Sequence, residues 1–201
     1  ELTRTGNLAS VMAGIDSALQ QGFDRIKLNA VILKGRNDQQ VLPLIEYAIS
    51  KGLDISFIEE MPLGAISEHN REETFCSNDE VFGRIEKNYA LRALDIKPIT
   101  SGPSDSYQVV GTKTRIGFIS PHSHNFCGEC NRVRVTAEGR LLLCLGNEHS
   151  VDLRAVMRSN PRDKELLKQV IINAMDLKPQ QHEFDHSNEP DIIRFMNMTG
   201  G

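Results

Sequence analysis

The sequence predicts an α/β protein built in two parts, and three observations support this fold class. Residues 1–64 alternate helix and strand patterns with short loops, which is typical of a parallel α/β sheet or barrel. Residues 65–201 instead carry short β-type segments around a hairpin signal, followed by helical patterns. Only two strands are visible in the first part, too few for a complete barrel. We therefore expect the last βα units of an incomplete barrel, followed by an antiparallel β and helical lobe.

The first part reads as helix, strand, helix and strand. Asn7 is a suitable N-cap for a helix whose apolar residues recur at helical spacing until Gly22. The elements expected next are a strand over residues 25–32, a helix over 39–50 closed by Gly52, and a strand over 54–60. Lys27 and Asn29 share one face of the first strand. That polar face fits a barrel lumen that binds something polar, and it fits equally an edge strand in contact with water.

The second part begins with a polar loop over residues 65–76, after which Ser77 caps a short helix. Four β-type segments are expected at residues 107–110, 115–120, 132–136 and 140–144. Ala137-Glu138-Gly139 supplies the hairpin turn between the last two. Two helices, over residues 152–159 and 163–175, precede a polar tail. We expect all four β segments to belong to the lobe.

Composition excludes several classes of protein. The net charge of −4 argues against a general binder of nucleic acid or membrane surfaces, which would show a basic excess. No apolar run approaches the roughly 20 residues that span a bilayer. The sequence starts without Met or a signal-peptide pattern, so we expect a cytoplasmic protein and a piece of a longer chain. In that reducing compartment, close cysteine spacing indicates metal or redox chemistry rather than disulfides.

Three of the four cysteines form the strongest chemical signal. Cys127 and Cys130 are spaced C-x2-C, which places two thiolates on one tight turn, and the following hairpin can return Cys144 beside them. Such a soft ligand set suits structural zinc or an iron–sulfur cluster with one open iron. The zinc site would need a fourth ligand, for which His122, His124 and His149 are candidates. Spacing alone leaves both open, together with an incidental set of thiols.

Two arginines close to the cysteine turn favour a site with a function beyond structure. Arg132 and Arg134 stand two apart in a predicted strand, so both guanidinium groups are expected on the same face. Arginine binds phosphate oxygens bidentately, and a pair beside a metal centre is suited to a phosphate or triphosphate. The alternative is a solvated strand face paired with nearby acids.

These residues resemble the C-terminal cluster motif of the MoaA family. The matching residues are 126–135, 138–141 and Cys144-Leu145. The terminal Gly200-Gly201 resembles that family's double-glycine tail, and residues 26–29 and 57–61 resemble two of its late barrel strands. The resemblance runs from about Gly6 to the end of the chain. The cysteine–arginine motif together with the double glycine is specific, whereas each strand motif alone is weak.

The resemblance implies the C-terminal part of an incomplete radical-SAM, TIM-like β/α barrel, with a lobe that carries an iron–sulfur cluster. It implies a GTP 3′,8-cyclase of molybdenum-cofactor synthesis, a lyase in which a radical made from S-adenosylmethionine removes the 3′ hydrogen of GTP. The ribose carbon then attacks C8 of guanine. The product is 3′,8-cyclo-7,8-dihydro-GTP, from which a separate synthase makes cyclic pyranopterin monophosphate. The family also implies a homodimer.

Carried over residue by residue, the resemblance assigns a role to ten positions. The implied ligands of a C-terminal [4Fe–4S] cluster are Cys127, Cys130 and Cys144. The implied contacts to GTP are Lys27, Arg132, Val133 and Arg134, and Met61 would line the S-adenosylmethionine site. The implied catalytic residues are Gly200 and Gly201, whose lack of side chains lets the backbone enter the active site.

Two departures from the family pattern matter. The radical-SAM motif C-x3-C-x2-C is absent, because Cys76 stands alone. We therefore expect the second [4Fe–4S] cluster and S-adenosylmethionine only in the full-length enzyme, with this chain supplying the GTP-binding half. Ser56 stands where some members carry an arginine near the cofactor carboxylate. Other readings are a non-catalytic zinc-stabilised module and a radical-SAM enzyme with another substrate.

Overall fold

A computed structural model of the chain describes residues 6–64, 70–94, 104–182 and 184. The described helices are α1 Leu8–Gln20, α2 Val41–Lys51, α3 Arg71–Thr74, α4 Asn78–Glu86, α5 Leu153–Ser159 and α6 Lys164–Asp176. The described strands are β1 Lys27–Val31, β2 Asp54–Ile58, β3 Leu91–Ala93, β4 Asp105–Val109, β5 Arg115–Ile119, β6 Arg134–Val135, β7 Arg140–Leu142 and β8 Ser150–Asp152. Within these ranges, every helix is too short or too polar to span a lipid bilayer.

The strands form a five-stranded sheet in the order β1-β2-β5-β4-β3 and a three-stranded sheet in the order β6-β7-β8. In the larger sheet, β1, β2 and β5 run parallel, while β4 and β3 are antiparallel. The smaller sheet is entirely antiparallel. A mixed α/β fold is thereby confirmed.

The grouping of β5 differs from the expectation. The sequence assigned residues 107–110 and 115–120 to the lobe, but β5 pairs in parallel with β2, with Ile55 opposite Ile116. β2 and β5 are both apolar and buried strands, which suits the centre of a parallel sheet. The larger sheet therefore contains strands from both sides of the domain boundary expected at residue 64. The polar loop expected over residues 65–76 also contains the short helix α3.

Local end signals of the helices behave as the sequence predicts. The side chain of Asn7 caps α1 by accepting the N–H of Ser10 at 3.3 Å. Ser77 caps α4 by accepting the N–H of Glu80 at 3.3 Å. Gly52 ends α2 in the left-handed region, with φ of 67°.

Two apolar clusters correspond to the two sheets. The first lies between the larger sheet and the helices α2 and α4, and its fully buried members include Ile45, Ile55, Phe57, Val81, Ile85 and Ile116. The second joins the smaller sheet to α5 and α6 through Leu141, Leu143, Leu153 and Ala174. In the described part of the chain β1 is an edge strand, and Lys27 and Asn29 on its polar face are exposed.

Candidate functional site

The site lies beyond the carboxyl ends of the parallel strands. β1, β2 and β5 end at the same edge of the larger sheet, because they run in the same direction. From the end of β5, residues 120–126 lead directly to the cysteine turn. The larger sheet thus determines where that turn begins.

A buried carboxylate attaches this segment to the sheet. Glu59, fully buried at the end of β2, accepts the backbone N–H of Asn78 at 2.9 Å, of His122 at 3.0 Å and of Ser123 at 3.1 Å. The hydroxyl of Ser123 also donates to it. The side-chain amide of Asn78 donates to the carbonyl of Ile119 at 2.9 Å, which joins the start of α4 to β5. Glu59 therefore organises the approach to the cysteine turn.

The cysteine turn is a short 3₁₀ helix, Cys127–Glu129. The N–H of Cys130 donates to the carbonyl of Cys127 at 3.1 Å, which holds the two cysteines on one turn. Asn125 precedes the turn, and its side-chain oxygen accepts the N–H of Cys127 at 2.8 Å. Cys144 lies two residues after β7, so it follows the hairpin β6–β7 that begins shortly after the turn.

The sulfur atoms of all three cysteines accept hydrogen bonds. The N–H of His182 lies 3.3 Å from Sγ of Cys127, and the N–H of Gly146 lies 3.3 Å from Sγ of Cys144. Nζ of Lys178 lies 3.8 Å from Sγ of Cys130. The three thiols are free and half-buried. N–H donors directed at sulfur stabilise thiolates, which is the form that binds metal.

The donor set consists of three cysteine thiols, a soft set that suits zinc or an iron–sulfur cluster. Within the described ranges, no three His, Cys, Asp or Glu side chains are grouped closely enough to hold one metal ion. Two of the histidines considered as a fourth zinc ligand have other partners, since Nε2 of His122 lies 2.9 Å from the carbonyl of Glu60 and Nε2 of His124 lies 2.9 Å from Asp79.

Arg134 is half-buried at the start of β6. Burial lowers the pKa of Arg134, the positive charge of Arg132 lowers it further, and Cys130 and Cys144 oppose the shift. The expectation that both arginines lie in one strand is wrong, because β6 contains only Arg134–Val135 and Arg132 precedes it. Their charges nevertheless interact. Two guanidinium groups beside a set of thiols form a cationic surface suited to phosphate oxygens.

A cavity of about 670 Å³ opens beside the turn, and its lining residues include Asn125, Cys127, Gly128, Cys130, Met175 and Lys178. Residues 178–182 and Phe184 form one side of the site, and we call them the closing segment. His182 donates from Nε2 to the carbonyl of Pro121 at 2.9 Å and accepts the N–H of Phe184 at Nδ1 at 3.2 Å. Burial lowers the pKa of His182, which favours the neutral ring that these two bonds require.

The other residues assigned from the sequence are more scattered. Lys27 is the first residue of β1, at the opposite end of the sheet from the cysteine turn, and its side chain is exposed. Met61 is half-buried just after β2, close to the end where the site lies. Val133, between the two arginines, is 39% exposed. Gly200 and Gly201 lie outside the described residues.

The sequence alone assigned no role to Glu59, Lys178 or His182. An acidic residue at the end of an apolar strand is a signal for Glu59, because a buried carboxylate needs several donors. Lys178 and His182 carry no comparable signal. Their partners are backbone atoms and sulfurs 35 to 61 residues away.

Comparisons with known proteins agree with the resemblance. Residues 53–184 match the family model described as Molybdenum Cofactor Synthesis C. The chain is 57% identical over 199 residues to a protein of Ectopseudomonas mendocina named GTP 3′,8-cyclase, with 99% of this chain and 60% of the relative covered. Proteins of the same name from Pseudomonas putida W619 and Pseudomonas entomophila are 55% and 57% identical, over 100% of this chain and 60% of each relative. The chain thus spans about 60% of the length of these curated relatives.

Proposed function

This chain belongs to the Molybdenum Cofactor Synthesis C family, and from that premise we propose that it is the GTP-binding part of a GTP 3′,8-cyclase. Relatives that are 55–57% identical over the whole chain carry that name, which supports the proposal. The observation that carries it is that Nζ of Lys178 contacts both Sγ of Cys130, at 3.8 Å, and the carbonyl of Arg132, at 3.1 Å, which places the arginine segment beside the cysteine turn. A triphosphate would thereby meet two cations next to a thiolate cluster.

The three cysteines are proposed to hold a [4Fe–4S] cluster. Cys127, Cys130 and Cys144 each have an N–H donor at sulfur, which supports a thiolate role. Three ligands leave one iron of a four-iron cluster free for substrate. When bound, this cluster, together with a second cluster and S-adenosylmethionine in the full-length enzyme, would supply the radical chemistry that converts GTP to 3′,8-cyclo-7,8-dihydro-GTP.

The arginine segment is proposed to orient GTP. Arg132 is exposed and Arg134 half-buried, so the outer guanidinium can capture the triphosphate and the inner one can fix it beside the thiols. Val133, between them, offers backbone atoms to the same ligand. The partial desolvation that lowers the pKa of Arg134 also strengthens its interaction with an anion.

The remaining assignments rest on the family resemblance. Lys27 would reach a bound GTP across the polar face of the larger sheet, since it lies at the far end of β1. Met61, half-buried after β2, would line the S-adenosylmethionine site. Gly200 and Gly201 would enter the active site as bare backbone. The full protein is proposed to be a cytoplasmic homodimer whose product passes to the synthase of cyclic pyranopterin monophosphate.

The test is GTP binding to chain purified and reconstituted without oxygen, measured by calorimetry. Combining Arg132→Ala with Arg134→Ala should weaken binding by at least about 100-fold, because each charged hydrogen-bonding group contributes about 1.5–3 kcal/mol. Arg158→Ala, an exposed arginine on α5, is the matched control and should leave affinity unchanged. Equal affinity in the double variant and the wild type would contradict the proposed GTP site.

Metal analysis separates this proposal from a non-catalytic zinc-stabilised module. The same reconstituted chain is assayed for iron, sulfide and zinc and its visible spectrum is recorded. About four irons and four sulfides per chain, with broad brown absorption, are expected for the cluster. One zinc per chain in a colourless solution would contradict the cluster and support the module.

A further inference from the structure

Lys178 joins the two segments that carry the cysteines. It lies just after α6, and its ammonium donates to the carbonyl of Leu143 at 2.9 Å, to the carbonyl of Arg132 at 3.1 Å and to Sγ of Cys130 at 3.8 Å. Leu143 directly precedes Cys144, and Arg132 lies two residues after Cys130. The side chain of Lys178 therefore connects the segments that precede and follow the hairpin β6–β7, next to Sγ of Cys130.

The number of acceptors matches the chemistry of the group. An ammonium has three N–H donors and no acceptor, and three acceptors surround it here. The ordinary explanation of a lysine after a helix is an interaction with the last carbonyls of that helix. These acceptors instead lie 35, 46 and 48 residues away in sequence, on other elements. Helix capping therefore does not explain this arrangement.

We infer that Lys178 is a positioning residue of the cysteine site, which fixes the spacing of Cys130 and Cys144 and places a positive charge against the Cys130 sulfur. The inference rests on the proposed cluster. A half-buried cation beside a sulfur ligand is poorly screened, so it stabilises the more negative, reduced state of the metal centre. Its hydrogen bonds to the carbonyls of Arg132 and Leu143 hold the two cysteine-bearing segments together when a chelator competes for the metal.

The experiment compares Lys178→Met with Lys168→Met in the reconstituted chain. Lys168 lies on α6, the helix that precedes Lys178, and its side chain is exposed. Among the described ion pairs, Lys168 pairs only with Glu165, at 4.0 Å. Two properties are measured without oxygen: the rate of iron release to a chelator and the reduction potential of the cluster. Neither requires the activity of the complete enzyme.

Lys178→Met should release iron about 10- to 100-fold faster than wild type, in line with the loss of metal affinity that typically follows mutation of the outer partners of metal ligands. Its reduction potential should become more negative, because the nearby positive charge is lost. Lys168→Met should match the wild type in both properties. Wild-type release and potential in a folded Lys178→Met protein would overturn the inference.

Lys178→Arg keeps the test decisive where the methionine variant does not fold. Its guanidinium retains the charge, but its donors lie in one plane and cannot match three acceptors that surround an ammonium. Iron release should therefore be several-fold faster, while the potential stays close to that of the wild type. A wild-type release rate in this variant would also overturn the positioning role. Failure of the wild-type chain itself to take up iron would instead contradict the proposed cluster, and the inference with it.

Discussion

The backbone N–H of His122 donates a 3.0 Å hydrogen bond to the carboxylate of Glu59, across 63 positions of sequence. Glu59 lies at the end of β2, and His122 lies between β5 and the cysteine turn. The contact therefore connects the interior of the parallel sheet with the segment that positions the proposed metal ligands. A carboxylate is suited to this role because it accepts several hydrogen bonds at once.

Replacing Glu59 with glutamine should weaken this connection. Glutamine keeps the size of the side chain but replaces one carboxylate oxygen with an NH₂ group. That group cannot accept the backbone N–H bonds that the oxygen accepts in the wild type, so at least one buried N–H would lose its partner. We expect the free energy of unfolding to fall by about 2–4 kcal/mol. Urea unfolding of the chain measures it. Glu86→Gln, at an exposed position on α4, is the control and should change stability little. Equal stability of both variants would contradict the anchoring role of Glu59.

Features specified by neighbouring residues could be predicted from the sequence. The caps at Asn7 and Ser77 and the αL residue Gly52 depend on groups within a few positions, and each forms as expected. The hairpin that returns Cys144 also follows from local spacing, and Gly139 in its turn has a φ of 79°. Local chemistry thus determines most helix ends and the layout of the cysteine motif.

Long-range pairing could not be predicted in the same way. The parallel pairing of β2 with β5 joins Ile55 to Ile116, and no neighbouring residue specifies which strand lies next to β2. The roles of Glu59 and Lys178 depend on backbone donors and acceptors, which every residue type possesses. The identities of the partner residues therefore do not indicate these contacts, although the contacts support the site.

Gly117 should tolerate no side chain, because two serines occupy the space beside it. A Cβ on Gly117, in β5, would lie 2.3 Å from Oγ of Ser104 and 2.5 Å from Oγ of Ser56. Gly117→Ala should therefore lower the free energy of unfolding by about 1–3 kcal/mol, as overpacking commonly does. Thermal or urea unfolding measures the change.

The matched control is Gly83→Ala, in α4, where the added Cβ has nothing within 4 Å. It should stabilise the chain by about 0.5–1 kcal/mol, because alanine is the better helix former. A Gly117→Ala protein as stable as Gly83→Ala would show that the serines move aside at no cost.

His124 should titrate above its ordinary pKa of 6.5, because the hydrogen bond and charge of Asp79, 2.9 Å away, favour the protonated ring. A raised folded-state pKa means that the stabilisation is complete below about pH 6.5 and is lost as the pH rises through the folded value. Both side chains are mostly exposed, so the effect on unfolding is small and NMR titration of the His124 ring is the suitable measurement. In Asp79→Asn the pKa should fall. Unchanged titration in that variant would contradict the pairing.

Gly146 should be required for the closing segment to reach the cysteines. A Cβ on Gly146 would lie 2.6 Å from Cβ of His182 and 3.0 Å from the ring of Phe184, so Gly146→Ala must displace that segment. The displacement would break the 3.3 Å bond from the N–H of His182 to Sγ of Cys127. Hydrogen–deuterium exchange at the amide of His182, measured by mass spectrometry, should then be faster than in the wild type. Iron should also leave the reconstituted chain about 10-fold faster. Gly14→Ala, in α1 with open space around it, should change neither. Wild-type exchange at His182 in the Gly146→Ala protein would contradict the need for glycine at this position, because the closing segment would then keep its bond to Cys127 despite the added methyl group.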